Sequence, residues 1–565
     1  LVQHDFCQSQ ARNLFEFFIH DHPNAAIINA LANRVFNSNP KKTPLTDKIR
    51  MFIRETFNKT GQDVNMENRL EDILDEEARK ILNNTEFLKD LTSESVNRKI
   101  FKVTSFLINR VLYVYTRIFT EKYTKQGPFE FINMLSSIGI AHLLVSPYYI
   151  SYHLQQRSKK LLSQVRENLP NGRGEAQAQK VALFTDTLDG VAITIKRILA
   201  TAKRQGIEMT VITCTNQPTG MQGDGIMNFQ SIGDFSLPEY PELVMGFPPV
   251  LDLLDYFDRE GFNRIHISTP GTVGLAGLGL AKLLSFPVTG TYHTDIPQYV
   301  RELTDDSFLE NAAWKFMIWF YNLMDEVTVP STSTMNQLLR HGLEKEKVKP
   351  LPRWVDTETY SPGNADPALF DGLPIAHGKK FIYVGRVSRE KNLELLARTF
   401  IRLSDENKEA ALVIVGDGPY KGEMEKLLDG YPVLFTGYKV DEELCALYAS
   451  SDIFVFPSAT DTFGNVVLEA QASGLPVIVS DGGGPKELMI DGETGIVVPA
   501  DSEDIFLEAM RRLAENPKLA ADMGLAARRH MTSKIIGKDE AYHAILSFDK
   551  EQSAFDSDSP KLVGA

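Results

Sequence analysis

Two carboxylates, Asp461 and Glu469, are separated by seven residues, with Gly464 and Asn465 between them where an apolar run gives way to a helical pattern. A helix N-terminus offers free backbone N–H groups and a partial positive charge, which suits a phosphate. Glu469, about a turn inside that helix, can accept a pair of ribose hydroxyls, and Asp461, ahead of it, can hold hydroxyls of a sugar. Two cations occupy a similar strand-to-helix junction, Tyr383-Val384-Gly385-Arg386-Val387-Ser388-Arg389-Glu390-Lys391-Asn392. Arg386 supplies a guanidinium fork and Lys391 a point charge, a pair that fits a diphosphate. Taken alone, they read equally well as solvated surface charges. Gly416-Asp417-Gly418 forms a further tight turn after an apolar run; a single glycine turn is most often only a turn.

Together these pieces resemble the family 4 glycosyltransferases, retaining enzymes of the GT-B fold with two facing Rossmann-like domains. The resemblance rests on Gly385-Arg386 with Lys391, on Gly416-Asp417-Gly418, on the spaced carboxylates ending in Glu469, and on Gly474-Leu475-Pro476. It covers roughly residues 179–535. Asp461 departs from the family by one methylene, since glutamate is most common there. Phe184-Thr185-Asp186-Thr187-Leu188-Asp189-Gly190 resembles the family's glycine-containing loop of the first domain, and His293, in Gly290-Thr291-Tyr292-His293-Thr294-Asp295, aligns with its active-site histidine. The form around His293 is similar to enzymes that glycosylate diacylglycerol or phosphatidylinositol-type lipids, and to mannosyltransferases.

The resemblance implies transfer of a hexose, with retention, from a nucleotide diphosphate sugar of the UDP-glucose or GDP-mannose type to a lipid or glycan acceptor. His293, Arg386, Lys391, Asp461 and Glu469 would be catalytic. Gly190, Gly385, Gly416, Gly418, Phe463, Gly464, Asn465 and Val466 would bind the donor. No cofactor or metal is expected. Two other readings stand beside this one: a sugar-nucleotide epimerase or hydrolase on the same fold, and a non-catalytic nucleotide-sugar binding module. The presence of Arg386, Lys391, Glu469 and His293 together argues against the last.

The elements that must position these residues are visible as β-branched runs alternating with helical patterns, the mark of βαβ units and parallel sheets. One series comprises Lys180–Thr185, Glu208–Thr213, Arg264–Ile267, Pro287–Thr291 and Glu326–Val329; the second comprises Lys380–Val384, Ala411–Val415, Val433–Phe435, Ile453–Phe456 and Pro476–Val479. A Pro- and Gly-rich stretch, 351–374, joins them. The expected organisation is a helical region at 1–170, an acceptor-side Rossmann-like domain at 179–353, a donor-binding one at 376–535, and a C-terminal helix and tail at 536–565. A hydrophilic linker, 171–175, precedes the first strand.

Of 565 residues, 43% are hydrophobic and 24% charged, which fits folded globular domains rather than disorder. The formal charge of −14 is unsuited to a nucleic-acid binder, and no nucleic-acid partner is expected. Three scattered cysteines fit a reducing compartment, and the absence of a basic-then-apolar leader argues for a cytoplasmic protein. Charge is uneven: residues 1–170 carry +5 and the remainder −19. Residues 101–170 hold nine basic and three acidic residues among many aromatics, with apolar positions at helical spacing (Ile100, Val103, Phe106/Leu107, Val111, Val114). Such a helix can lie on an anionic membrane surface or simply pack on the rest of the protein. Residues 131–152 read as a helical hairpin rather than a membrane span. His4, His20, His22, Asp5 and Asp21 are weak metal-ligand candidates, and Asp556-Ser557-Asp558 reads as a solvated acidic stretch.

Overall fold

The computed structural model describes residues 79–80, 83–126, 146–167, 179–186, 192–216, 225–237, 240–304, 306–352, 354–373, 375, 378–407 and 409–534. Gly190, the linker at 171–175, the N-terminal histidine and aspartate candidates and Asp556-Ser557-Asp558 lie outside the described residues. The chain divides into two compact units, residues 1–199 with 206–288 and residues 200–205 with 289–565.

Helices α1 (Thr85–Thr92), α2 (Val96–Gln126) and α3 (Ser146–Glu167) precede the first strand. Of the expected hairpin, residues 146–152 are described, and they open α3. The buried stripe of α2 is Phe101, Thr104, Ser105, Ile108 and Leu112. That is one position away from the stripe suggested by hydrophobicity, whose Ile100, Val103, Phe106, Leu107 and Val114 are half-buried. Polar contacts with α5 (Val250–Glu260) set the rotation: Arg98 pairs with Asp255, and Asn109 Nδ2 donates to Asp252 at 3.1 Å.

The remaining elements of the first half are β1 (Lys180–Phe184), α4 (Ala192–Arg204), β2 (Glu208–Cys214), β3 (Ile226–Phe229), the antiparallel hairpin β4 (Asp234–Leu237) and β5 (Tyr240–Gly246), β6 (Arg264–Ile267) and α6 (Thr272–Leu284). Next come β7 (Val288–Thr291), α7 (Ile296–Thr304), α8 (Ser307–Asn322), β8 (Glu326–Val329), α9 (Thr332–Arg340) and β9 (Val348–Pro350). The strand order is β3-β2-β1-β6-β7-β8-β9. Order reverses beside β1, whose neighbours are β2 and β6, both parallel to it.

The second sheet is built from β10 (Lys379–Val384), β11 (Ala410–Val415), β12 (Val433–Gly437), β13 (Ile453–Phe456), β14 (Val477–Ser480) and β15 (Gly495–Val498). Its order is β12-β11-β10-β13-β14-β15, and all of its strand pairs are parallel. β11, β13 and β14 are buried at every residue, as expected of central strands covered on both faces. Helices α10 (Leu393–Glu406), α11 (Lys421–Leu427), α12 (Asp441–Ala449), α13 (Asn465–Ala472), α14 (Glu503–Glu515) and α15 (Pro517–Lys534) connect and cover them. Val355, Tyr360 and Phe370 of the stretch joining the two series, and Ile375 just after it, enter the second core. Arg528 on α15 clamps it by donating to the carbonyls of Thr357 and Tyr360, each at 2.8 Å.

Candidate active site

In a doubly wound sheet, loops leaving adjacent strands on either side of the order reversal diverge and open a crevice at their carboxyl ends. In the second sheet that point lies between β10 and β13, so the loops after them face each other. The loop after β10 is built on glycines that make room for one another's backbone. Gly385 N–H donates to Val415 O at 3.0 Å, and Gly416 N–H donates to Gly437 O at 2.9 Å. A Cβ on Gly416, whose φ is +138°, would fall 1.9 Å from Gly385 O. The Val387 N–H adds a bond to Asp417 O at 2.9 Å, and a Cβ on Gly418 would meet Val387 O. The tight loops place Arg386, half-buried, beside the strand end, with its carbonyl held by Tyr383 OH at 2.9 Å.

Lys391 ends the 3-10 turn Arg389–Lys391 and points to the loop after β13, where its Nζ lies 2.7 Å from Asp461 Oδ2. The Lys391 side chain is 12% exposed and that of Asp461 25%. Burial disfavours the ammonium, but the Asp461 carboxylate, with Tyr299 and Glu390, outweighs it and raises the Lys391 pKa above that of ordinary lysine. Lys391 is therefore charged at every physiological pH.

The loop carrying Asp461 is pinned on both sides. Thr460 Oγ1 donates to Glu390 O at 3.1 Å, Ser480 Oγ to Ser458 O at 2.6 Å, and Gly484 N–H to Asp461 O at 2.9 Å. Gly464 then takes the left-handed conformation, φ +86°, as the N-cap of α13, with Asn465 and Val466 opening the helix. Phe463 and Val466 pack against the second core, whereas Asn465 is exposed. Glu469 sits one turn in, and Tyr448 OH on α12 donates to its Oε2 at 3.1 Å.

His293 follows β7 and belongs to the same compact unit. Its carbonyl accepts from Thr462 Oγ1 at 2.7 Å, so the histidine loop is tied to the loop that carries Asp461. Burial pushes the imidazole pKa down to about 4, leaving His293 neutral near pH 7. Tyr299, one turn into α7, lies against the Lys391–Asp461 pair; burial raises its pKa. A second tie runs from Glu487, whose carboxylate accepts from Thr332 N–H at 2.8 Å and from Ser333 N–H and Oγ at 2.6 Å each. It caps the N-terminus of α9, and although burial works against it, these hydrogen bonds hold its pKa below the ordinary glutamate value.

His293, Arg386, Lys391, Asp461 and Glu469 thus lie in one unit, with Lys391 and Asp461 in direct contact and His293 joined through Thr462. Tyr299, Tyr448, Thr462 and Glu487 were not singled out by sequence. Thr462 stands between the spaced carboxylates and Tyr299 six residues past His293, but nothing local marks Tyr448, because its role depends on a pairing 21 residues away.

The two parallel doubly wound sheets, with the Lys391–Asp461 contact at the strand-order reversal of the second, are the frame of the GT-B fold. Residues 188–359 match the glycosyltransferase family 4 and residues 368–530 the glycosyl transferases group 1. The sulfoquinovosyl transferase of Arabidopsis thaliana is 30% identical over 394 residues, covering 66% of this chain and 75% of that protein. The alpha-monoglucosyldiacylglycerol synthase of Streptococcus pneumoniae is 27% identical over 314 residues, 53% of this chain and 70% of the relative. Sucrose-phosphate synthase from Thermosynechococcus elongatus has the same fold, with a TM-score of 0.56 at 22% identity over 65% of this chain and 97% of that one. The chain belongs to the group 1 glycosyltransferases, and it is an enzyme of that kind.

Proposed function

We propose that the protein is a retaining hexosyltransferase that moves a sugar from a nucleotide diphosphate donor, of the UDP-glucose or GDP-mannose type, to a lipid or glycan acceptor. The observation that carries this reading is the Lys391–Asp461 contact at the strand-order reversal. It sets a permanent cation beside a hydroxyl-binding carboxylate, next to the α13 N-terminus. In this reading Arg386, Lys391 and the α13 N–H groups meet the diphosphate, where negative charge grows as the anomeric C–O bond stretches. Glu469, oriented by Tyr448, accepts the ribose hydroxyls. Asp461 and neutral His293 orient the transferred sugar, and neutrality lets the imidazole bond to a hydroxyl without repelling the two cations. The acceptor oxygen attacks the face the diphosphate leaves, and its proton passes to the departing phosphate oxygen, so no protein nucleophile is required. Gly385, Gly416 and Gly418 shape the donor loops, and Gly190 is assigned to the donor loop of the first domain.

The name of the streptococcal relative supports a diacylglycerol-type lipid as acceptor. With such an acceptor the enzyme would work at the cytoplasmic face of a membrane, with residues 101–170 meeting an anionic surface; a nucleic-acid partner forms no part of the reading. No helix among the described residues is long and apolar enough to cross a membrane; the contact in this reading is peripheral. The two cations supply the charge that a metal ion could otherwise provide. The test is a donor screen with EDTA present: UDP-glucose, UDP-galactose, UDP-glucuronate, UDP-N-acetylglucosamine and GDP-mannose, each with mixed lipid acceptors, followed by nucleotide diphosphate release and by the anomeric configuration of the product. Release from one donor that needs lipid and survives EDTA is expected. Release without any acceptor would favour a hydrolase.

A further inference from the structure

α3 is apolar on two sides. Its inner face buries Tyr148, Ser151 and Tyr152, and Tyr148 meets Phe101 of α2 edge-on at 5.5 Å. Its outer line, Ile150, Leu154, Arg157 and Leu161, follows a spacing of four, three and four residues and points to solvent. Ile150 is 51% exposed, Leu154 55% and Leu161 62%. A helix that merely covers a core presents polar residues outward. α6 runs beside it, joined by His153 Nδ1, which hydrogen-bonds Leu283 O at 2.6 Å. Its own outward line is Leu275, Gly279 and Lys282, all exposed. Between the two helices lies an open groove of about 580 Å³, lined by Tyr149, Ile150, Leu154, Lys282 and Leu283 among others and by no carboxylate.

Charge indicates the occupant. α3 carries four basic residues and one acidic. Arg157, on the outer line of α3, and Lys282, which lines the groove, are exposed and form no ion pair with a described residue, whereas Lys159 is taken up by Asp258 at 2.9 Å. A two-fold contact with a second copy would set this cationic, carboxylate-free face against itself. A bilayer carrying anionic lipid answers both features, with apolar side chains entering the headgroup–acyl boundary and cations meeting phosphates.

We propose that the outer face of α3, with the groove against α6, is a docking surface for an anionic phospholipid bilayer. The face of α2 that carries Phe101, Thr104, Ser105, Ile108 and Leu112 is packed inward and is not part of it. The inference rests on the lipid-acceptor reading above and narrows its membrane contact to one face.

The test is flotation of the full chain with vesicles of phosphatidylcholine, alone or mixed with phosphatidylglycerol. Binding is expected to the mixed vesicles, weakened by salt. Leu154→Glu with Leu161→Glu should lower partitioning about tenfold or more. Arg157→Glu and Lys282→Glu should each lower it about fivefold or more. Trp319→Ser, which removes an apolar side chain 53% exposed on α8, should change nothing. Equal binding of the wild type and both variant sets would overturn the proposal, as would a fall in thermal stability of Leu154→Glu with vesicle binding intact, since that would show the face to be packed by protein. Transfer to a micelle-dispersed lipid acceptor separates the two readings. Micellar transfer without vesicle binding overturns the docking surface alone; vesicle binding without transfer to any lipid overturns the acceptor reading alone.

Discussion

Both sheets reverse strand order, and at each reversal an aspartate stands past a strand end, yet the two are used differently. Asp186, after β1, is consumed by the fold. It accepts from Thr269 Oγ1 at 2.7 Å, from Val273 N–H at 2.7 Å and from Thr272 Oγ1 at 3.2 Å, and so caps the N-terminus of α6. Gly271 is required there, because a Cβ would lie 2.5 Å from the carboxylate carbon. Asp461, after β13, has one side-chain partner among the described residues, the Lys391 ammonium, and keeps a quarter of its side-chain surface in solvent. The difference teaches how to separate a structural carboxylate from an available one. Both are held by positive charge, but the first faces backbone N–H groups and hydroxyls fixed by the fold, while the second faces a side-chain ammonium and stays partly open to solvent.

The strongest way to break this contrast is to remove the cation. Lys391→Ala should lower kcat by more than about 100-fold, since a donor aimed at developing charge is worth about 3 kcal/mol. Folding should be nearly intact, because Lys391 lies at the crevice rather than in the core. Turnover like the wild type would end the assignment of this crevice to catalysis.

Asp186→Ala should show the opposite profile. It strands the Val273 N–H and two threonine hydroxyls, and the expected loss is about 2 kcal/mol of stability, read from urea unfolding. Turnover per folded molecule should stay near the wild-type value. If activity collapses while stability holds, Asp186 belongs with Asp461 and the comparison fails.

Much of this was legible in sequence for physical reasons that also mark its limits. The central strands β1, β2, β6, β8, β10, β11 and β13 appear as short runs rich in Val, Ile and other apolar residues, because burial on both faces leaves few polar positions among them, His266 in β6 being one. The edge strand β12 also shows as an apolar run, but the edge strands β3 and β9 do not: β3 contains exposed Asn228, and β9 is three residues long with a lysine and a proline. β15 also escaped, hidden after a turn. The rotation of α2 differs by one position from its hydrophobic pattern because Thr104 and Ser105, not aliphatics, fill part of its buried face. At the site, Lys391 and Asp461 were legible as types, but their contact spans 70 residues and local spacing cannot encode it. The same holds for Glu487 with α9, a pairing 155 residues apart.

The ties around the crevice can be sharpened by pH. Burial lowers the His293 pKa from 6.5 to about 4, so between those values the unfolded chain binds the extra proton. Its contribution is complete above pH 6.5 and is lost as pH falls to about 4. Glu487 is held below its ordinary value of 4.5, so its contribution persists above that pH and is lost as pH falls through the lowered folded value. Urea midpoints measured against pH should therefore decline in two adjoining windows. His293→Gln should flatten the upper one and Glu487→Gln the lower. A Glu487→Gln profile that still declines below 4.5 as steeply as the wild type would show that the α9 cap is not what stabilises that contact.

The smallest expected effect concerns Glu469 and separates orientation from charge. Tyr448 is fully buried, and burial first, with the neighbouring Glu469 carboxylate, raises its pKa well above the ordinary value, so the phenol stays protonated and donates. Tyr448→Phe removes that hydrogen bond, 3.1 Å long, together with a longer one of 3.5 Å to Val466 O, while keeping the ring that packs edge-on against Tyr360 at 5.9 Å. One neutral donor to a carboxylate is worth about 1 kcal/mol, so donor KM should rise roughly fivefold with kcat little changed, because a ribose contact acts equally in ground and transition states. A fall in kcat at constant KM would instead place Glu469 at the reacting sugar, and would extend the contrast with Asp186 from one carboxylate of the pair to both.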